Sequence, residues 1–204
     1  HEISVGDGFD ANYKIDSTAN SLLGFNSIYS PLTVYQIESD SVELKVDFGD
    51  TQTKGVTHAC ASPTRAVCVI ATDTIEYVEI STLGNSSDFG DMHSRSGMCS
   101  NSIRGVCGGG FSPTVNTIEY ITIASTGNGR DFGDTLTTGA NTRGGVASPT
   151  RGIFMGLNYA PANTNYNVIQ YITIATTGNA TDFGDMSAAR HNPYGISSGI
   201  RGLA

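Results

Sequence analysis

Hydrophobic and polar positions alternate along this chain in short segments that return at intervals. The clearest segment is Ile-Glu-Tyr-Ile-Thr-Ile at 118–123, and close copies stand at 75–80 and 169–174. Alternation with a period of two, in residues that are β-branched or aromatic, predicts half-buried β-strands. The 3.6-residue apolar spacing of amphipathic helices does not occur between them. The pattern therefore predicts an all-β protein.

Two landmarks divide the chain into repeated units. The tetrapeptide Asp-Phe-Gly-Asp occurs four times, at 47–50, 88–91, 131–134 and 182–185. A second landmark ends in arginine, as Ser-Pro-Thr-Arg at 62–65 and 148–151, with shorter versions ending at Arg104 and Arg201. The landmarks alternate in a fixed order, and loops of variable length between them account for the unequal spacing. The chain is a tandem repeat.

Each unit predicts four short antiparallel strands. In the first complete unit these strands fall at 56–61, 66–70, 75–80 and the Asp-Phe-Gly-Asp segment. The Gly-Asn pairs at 127–128 and 178–179 are predicted to supply the positive φ of a tight hairpin turn. Four-stranded repeats of roughly 40 to 50 residues are typical of a β-propeller.

The propeller is predicted to span residues 33–204, with three blades formed by single units at 51–91, 92–134 and 135–185. A fourth, composite blade would combine 186–204 with 33–50, because each of these segments carries only one landmark. Pairing the two ends would close the ring and remove exposed sheet edges. The alternative is a fragment of a larger propeller. Residues 1–32 do not match the repeat and predict a β-rich arm that docks on a neighbour; the alternatives are a frayed end and a degenerate half-blade.

Composition narrows the classes of partner. The chain has 204 residues with 19 acidic and 11 basic side chains, a net charge of −8, and only 15% charged residues. Because no basic stripe exists to neutralise phosphates, nucleic acid is not a predicted partner. No apolar run approaches the roughly 20 residues that span a bilayer, so membrane insertion is not predicted either.

The repeated aromatic and basic residues are predicted to be structural. The Asp-Phe-Gly-Asp phenylalanines would pack between blades, with the glycine permitting a close turn and the aspartates capping backbone N–H groups. The arginines would form ion pairs or carbonyl clamps between blades; the alternative is a ring that holds an anionic ligand. These residues are Phe48, Phe89, Phe132, Phe183, Arg65, Arg104, Arg151 and Arg201.

The four cysteines fall at equivalent positions of two units. Cys60 and Cys99 precede the repeated arginine, and Cys68 and Cys107 follow it. Buried free thiols are the favoured interpretation. Cross-strand disulfides, Cys60 with Cys68 and Cys99 with Cys107, are the alternative in an oxidising setting.

No catalytic constellation or cofactor site is predicted, because catalysis needs a unique set of groups and this chain offers near-identical units. Asp-Phe-Gly also occurs in protein kinases, but here no phosphate loop or catalytic-loop motif accompanies it. Paired carboxylates in each repeat raise calcium binding as a minor alternative, although the dense acidic array of strong calcium loops is missing.

The repeat resembles the kelch repeat in its glycine doublet, Gly108-Gly109, its strand residue Tyr120 and a Met-x-x-x-Arg tail at 186–190, with Phe132 where kelch repeats carry tryptophan. Over 56–204 it is more similar to the Asp-Phe-Gly-Asp repeat proteins of marine tailed bacteriophages. In those proteins near-copies of Ile-Glu-Tyr-Ile-Thr-Ile-Ala-Ser-Thr-Gly-Asn and Arg-Gly-Val-x-Gly-Gly recur in tandem. That resemblance implies a virion protein of the structural or tail-fibre type and carries no catalytic residues.

The expected function is therefore that of a non-enzymatic propeller module in a virion. Its partners would be other virion proteins or a host-surface glycan or protein, within an oligomeric assembly. Variable loops on a rigid scaffold are the expected contact surface, with Phe111, Tyr159, Asn163 and Tyr166 as candidate binding residues. Two alternatives stay open: a lectin or glycan-acting enzyme, and an architectural capsid or tail decoration protein.

Overall fold

The fold is taken from a computed structural model, which describes residues 22–24, 33–37, 46–53, 55–70, 73–94, 96–111, 114–138, 144–156, 158–159, 164–190 and 193–203. Within these residues the structure has nineteen β-strands and no helix. The prediction of an all-β chain is confirmed. No helix in the described part has the length and apolar character needed to span a membrane.

Three four-stranded antiparallel sheets form the middle of the chain, and each contains one sequence repeat. Sheet 1 follows an N-terminal sheet of β1 (Leu22–Gly24), β2 (Thr33–Ile37) and β3 (Val46–Asp50). Sheet 1 consists of β4 (Val56–Ala61), β5 (Arg65–Ile70), β6 (Thr74–Glu79) and β7 (Ser87–Asp91). Its strands are paired in chain order, as the sequence predicted.

Sheets 2 and 3 repeat this arrangement. Sheet 2 contains β8 (Met98–Ser100), β9 (Arg104–Phe111), β10 (Thr114–Thr122) and β11 (Arg130–Asp134). The next strands are β12 (Gly144–Ala147), β13 (Arg151–Met155), β14 (Asn158–Tyr159), β15 (Thr164–Asn165), β16 (Val168–Thr173) and β17 (Thr181–Asp185). Of these, β12, β13, β16 and β17 form sheet 3, and β14 pairs with β15 in a small separate hairpin.

A β-bulge in the last strand pair explains the Asp-Phe-Gly-Asp motif. In sheet 1, Ile75 lies opposite Gly90 while Glu76 lies opposite Asp88, so Phe89 has no partner in the ladder. The same shift occurs between β10 and β11, between β16 and β17, and between β2 and β3. A bulge leaves one residue unpaired and bends the strand. The glycine after it has a φ of +133° to +145° in the four copies, which non-glycine residues rarely adopt.

Hydrophobic clusters lie between consecutive sheets. Cys60 and Val67 of sheet 1 share a cluster with Cys107 and Ile121 of sheet 2. A second cluster joins sheets 2 and 3, and a smaller one joins Phe48 of the N-terminal sheet to sheet 1. The N-terminal sheet, sheet 1 and sheet 2 are thus each covered by the sheet that follows in the chain.

The described strands at the two ends of the chain lie in separate sheets, so the composite blade stays a prediction. Strands β18 (Ile196–Ser197) and β19 (Gly202–Leu203) make a separate two-stranded C-terminal hairpin. The edge of β2 that the composite blade requires is paired instead with β1, Leu22 lying opposite Ile37. That strand belongs to the predicted arm, whose other residues lie outside the described part of the chain. The N-terminal sheet is therefore three-stranded.

Candidate functional site

A set of hydrogen bonds, named here the clasp, joins each Asp-Phe-Gly-Asp strand to the next unit. In the clasp between sheets 1 and 2, the N–H of Gly127 donates to the carbonyl of Phe89 at 2.7 Å and the N–H of Gly129 donates to Asp91 at 2.7 Å. The side-chain oxygen of Asn128 accepts the N–H of Asp91 at 3.1 Å. Equivalent bonds join the N-terminal sheet to sheet 1 and sheet 2 to sheet 3.

The clasp corrects the predicted role of the Gly-Asn pairs. They do not form the turn of the hairpin between the third and fourth strands, because that turn lies a few residues earlier, as at Ser125, whose N–H donates to Thr122. Gly127 and Gly178 have φ values of +150° and +154°, which suit glycine. The Gly-Asn pair instead forms hydrogen bonds with the last strand of the preceding unit.

Burial of the motif phenylalanines follows from the clasp. Phe48, Phe89 and Phe132 are 1–2% exposed, which confirms their predicted packing between units. Phe89 and Phe132 also meet a tyrosine of the neighbouring strand edge-on, with centroids 5.8 and 6.0 Å apart. Phe183 makes the same contact with Tyr171 but is 53% exposed. The prediction is wrong for Phe183, since the described residues supply no following clasp.

Two of the repeated arginines, Arg65 and Arg104, act as clamps between sheets, as predicted. Arg65 donates to the carbonyl of Ile123, directly after β10, at 3.3 Å, and Arg104 donates to Ile174 and Ala175, directly after β16, at 3.0 Å. Each guanidinium of sheets 1 to 3 also lies 4.6–4.7 Å from the ring centre of the strand tyrosine. This stacking is a cation–π contact. Arg201 of the C-terminal hairpin is exposed.

A buried polar residue in the third strand of each sheet escaped the sequence interpretation. Glu76 is 1% exposed and accepts hydrogen bonds from the N–H of Gln52 and from the Ser86 hydroxyl. Glu119 accepts the N–H of Ser94 in the same way. Gln170 takes this position in sheet 3 and accepts the N–H of Leu136. The glutamate that recurs between two apolar residues in Ile-Glu-Tyr was the feature of the sequence that could have indicated this buried polar position.

The cysteines are four buried free thiols, and the disulfide alternative is wrong. Cys60 lies opposite Val67 in the β4–β5 ladder, whereas Cys68 lies opposite Ala59. Paired residues share a face and successive residues alternate, so Cys60 and Cys68 point to opposite faces of the sheet. Cys99 and Cys107 are separated in the same way. Burial raises the pKa of both Cys68 and Cys99 to about 12.

Each cysteine that precedes the arginine packs onto a glycine of the next unit. A Cβ atom at Gly105 would lie 2.7 Å from Sγ of Cys60 and 2.7 Å from Cε of Met98. One at Gly152 would overlap Sγ of Cys99, and one at Gly202 would lie 2.8 Å from Cγ2 of Val146. The glycine after the repeated arginine therefore provides space for a side chain of the preceding unit.

Turns from four units converge on one cavity, named here the turn cavity. In each turn that joins the first and second strands, the N–H of one residue donates to the carbonyl oxygen three residues later. The donors are Ser62, Asn101, Ser148 and Ser198. Side-chain oxygens of Ser62, Asn101 and Ser148 also accept N–H groups within their own turns. The cavity measures about 510 Å³ and is lined by Ala61, Ser62, Pro63, Ser100, Asn101, Ser102, Ile103, Ala147, Ser148, Pro149 and Gly199.

The chemistry of the turn cavity is that of small neutral groups. Its lining residues supply hydroxyl, amide and backbone polar atoms, and none of them is charged or aromatic. The described residues also contain no group of three or more His, Cys, Asp or Glu side chains arranged to hold a metal ion.

The predicted contact loops lie at the opposite ends of the strands from these turns, because successive connections of an antiparallel meander alternate between the two ends. In sheet 2, β9 and β10 continue as a hairpin in which Phe111 lies opposite Thr114. In sheet 3 the connection holds β14 and β15, with Tyr159 opposite Thr164. Tyr166 follows β15 and is half-buried. Asn163 lies outside the described residues.

The loop hairpin of sheet 3 has a polar core of its own. Asn158 is buried and its amide nitrogen donates to the side-chain oxygen of Asn165 at 2.7 Å. The corresponding connection in sheet 1, between β5 and β6, is only three residues long. The scaffold thus carries two extended hairpins, on sheets 2 and 3, and one short loop on sheet 1. We call the hairpins at residues 108–117 and 156–168 the variable hairpins.

Comparison with known proteins supports the fold alone. No known protein family and no curated protein matches the sequence. Among solved structures the chain is similar to the computationally designed protein Ika8, with a TM-score of 0.52 and 14% sequence identity. The match covers 88% of this chain and 49% of Ika8, so this chain spans about half the length of that protein.

Proposed function

We propose that this chain is a non-enzymatic β-propeller module of a bacteriophage particle, in which the variable hairpins contact a host-surface molecule or a neighbouring virion protein. The propeller assignment is supported by the four turns that share the turn cavity, since blades of a propeller meet in this way around an axis. The phage assignment is supported by the sequence resemblance described above.

One observation supports the proposed binding role of the variable hairpins. The repeated polar side chains are used inside the scaffold, in clasps, arginine clamps and buried carboxylate contacts. The connections between second and third strands, by contrast, differ from unit to unit and form hairpins on only two sheets. Variable segments on a rigid scaffold are where binding proteins place their specificity.

Replacing residues 157–167 by the short Ala71-Thr72-Asp73 connection of sheet 1 tests this role. We expect the melting temperature to change by only a few degrees, because the strands of sheet 3 stay intact. Particles that carry the trimmed protein should assemble and adsorb to host cells at least tenfold less. Failed assembly would favour the architectural alternative, and normal assembly with normal adsorption would refute a role for this hairpin.

The turn cavity favours a second candidate, a lectin. Hydroxyl and amide groups without charge suit a neutral, polyhydroxylated ligand such as a glycan. Filling the cavity with Ser102→Arg should abolish glycan-array binding in a lectin and leave it unchanged if only the variable hairpins bind. A hydrolysis assay on any bound glycan would separate binding from turnover.

A further inference from the structure

Sheet 3 ends in an interface that is open where the others are filled. Phe183 is 53% exposed, whereas Phe89 and Phe132 are each 2% exposed. No described atom lies within 4 Å of a Cβ position on Gly184, but backbone atoms of the following clasp lie at 2.6 Å for Gly90. Within the described part of the chain, no segment covers the outer part of this interface as its counterparts are covered.

The inner part of the same interface is already occupied by the C-terminal hairpin. Val146 of sheet 3 packs against Gly195 and Gly202, as Cys60 packs against Gly105. Strands β18 and β19 thus occupy the places of the first and second strands of a unit. Leu203, however, is 68% exposed, while Val106 at the equivalent position is fully buried beside its third strand.

We propose that this open interface binds a further unit of the same repeat type, through a β-hairpin that carries a Gly-Asn segment. Two open strand edges require the same type of hairpin. Among the described residues, no third strand pairs with β19 and no clasp holds the strand at 182–185. The tyrosine of the incoming strand would lie opposite Leu203, as Tyr120 lies opposite Val106. Its Gly-Asn segment would donate to the carbonyls of Phe183 and Asp185, and Phe183 would become buried.

The hairpins of the described units do not meet this requirement. Each of its three Gly-Asn segments already holds a strand of the preceding unit. The Asp-Phe-Gly-Asp copy at 47–50 is preceded by Glu43-Leu44, where the other three copies are preceded by Gly-Asn. The occupant is therefore a hairpin outside the described units, with an unfilled Gly-Asn segment. This interface is separate from the variable hairpins, so either proposal can fail alone.

A tryptophan introduced at position 183 tests the proposal, because the chain contains no other tryptophan. The Phe183→Trp protein should show the red-shifted emission of an exposed indole. A peptide with the sequence of residues 114–134 should shift that emission to the blue in a saturable manner. The same peptide with Gly127→Val should bind at least tenfold more weakly. Phe132→Trp, which probes a filled interface, should emit in the blue throughout and ignore the peptide.

Isolated hairpins are only marginally stable, so a tethered form provides a second measurement. Joining residues 108–134 directly to Ala204 of the Phe183→Trp protein continues the register of the second strand. In this fusion the introduced indole should emit in the blue without added peptide, and in the Gly127→Val fusion it should not. An indole that stays exposed in the unmodified fusion would overturn the proposal. So would a concentration-dependent dimer of the Phe183→Trp protein alone in which the indole is buried, since a second copy would then be the occupant.

Discussion

The substitution Gly105→Ala tests the packing between units most directly. A Cβ atom at Gly105 would lie 2.7 Å from Sγ of Cys60 and 2.7 Å from Cε of Met98, where favourable contacts need about 3.5–4.0 Å. Met98 can move the end of its flexible side chain, but the short side chain of Cys60 cannot. Overpacking of this kind costs about 1–3 kcal/mol. For a chain of this length, in which 1 kcal/mol shifts the melting temperature by about 2–4 °C, we expect the melting temperature to fall by about 2–12 °C.

A double-mutant cycle identifies the cause of this loss. Cys60→Ala alone should cost about 1 kcal/mol, because it leaves a small cavity. Combined with Gly105→Ala it should recover about 1 kcal/mol or more of the free energy of unfolding, measured by urea denaturation, because the new methyl group replaces the sulfur.

The control cycle pairs Gly105→Ala with Cys68→Ala. Cys68 points to the other face of sheet 1, so the two effects should add within about 0.5 kcal/mol. A Gly105→Ala protein as stable as the parent would refute the packing argument. So would equal coupling in the two cycles.

Three further predictions concern single positions. Phe132→Ala should lower the free energy of unfolding by about 3–5 kcal/mol. Phe183→Ala, at a 53% exposed position, should lower it by about 1 kcal/mol or less. Equal losses of the two variants in chemical denaturation would contradict the open interface. Glu119→Gln should be tolerated, because sheet 3 uses glutamine at this position, but Glu119→Leu should cost about 1–3 kcal/mol by leaving a buried N–H unpaired, as thermal unfolding will show. Burial raises the pKa of Cys68 and Cys99 to about 12, so native protein at about pH 8 should resist thiol reagents. The stability of the protein should fall as the pH rises above about 8.5, because the thiols of the unfolded chain ionise there. Rapid labelling of native protein would refute the burial of these thiols.

Much of the architecture was predictable from local pattern. Alternation in Ile-Glu-Tyr-Ile-Thr-Ile fixed the third strand, and the paired landmarks fixed the order of four strands in each of three sheets. The phenylalanine burial and the arginine clamps followed from repetition, because a residue that recurs once per unit usually serves the contact between units. These features are local or periodic, which is why sequence alone sufficed.

The remaining features depend on geometry between distant residues. The Gly-Asn pair looked like a hairpin turn because its torsion angles suit one, and only the position of the preceding strand shows that it is a clasp. Buried thiols were the favoured prediction for the cysteines, and the disulfide alternative stayed open because spacing alone does not reveal a one-residue offset in register, which reverses the face. The pairing of β1 with β2 was hidden in the same way, since residues 22–24 carry no repeat signature.

The clasp also sets the order in which the units can complete their folding. The strand at Asp50 is completed by Asn85, that at Asp91 by Asn128, and that at Asp134 by Asn179, which lie 35, 37 and 45 residues later in the chain. During synthesis from the N-terminus, each motif phenylalanine therefore stays uncovered until the following unit has left the ribosome. Folding of this protein must therefore lag behind translation by about one repeat, and a ribosome that stalls within a unit leaves one motif phenylalanine exposed to chaperones.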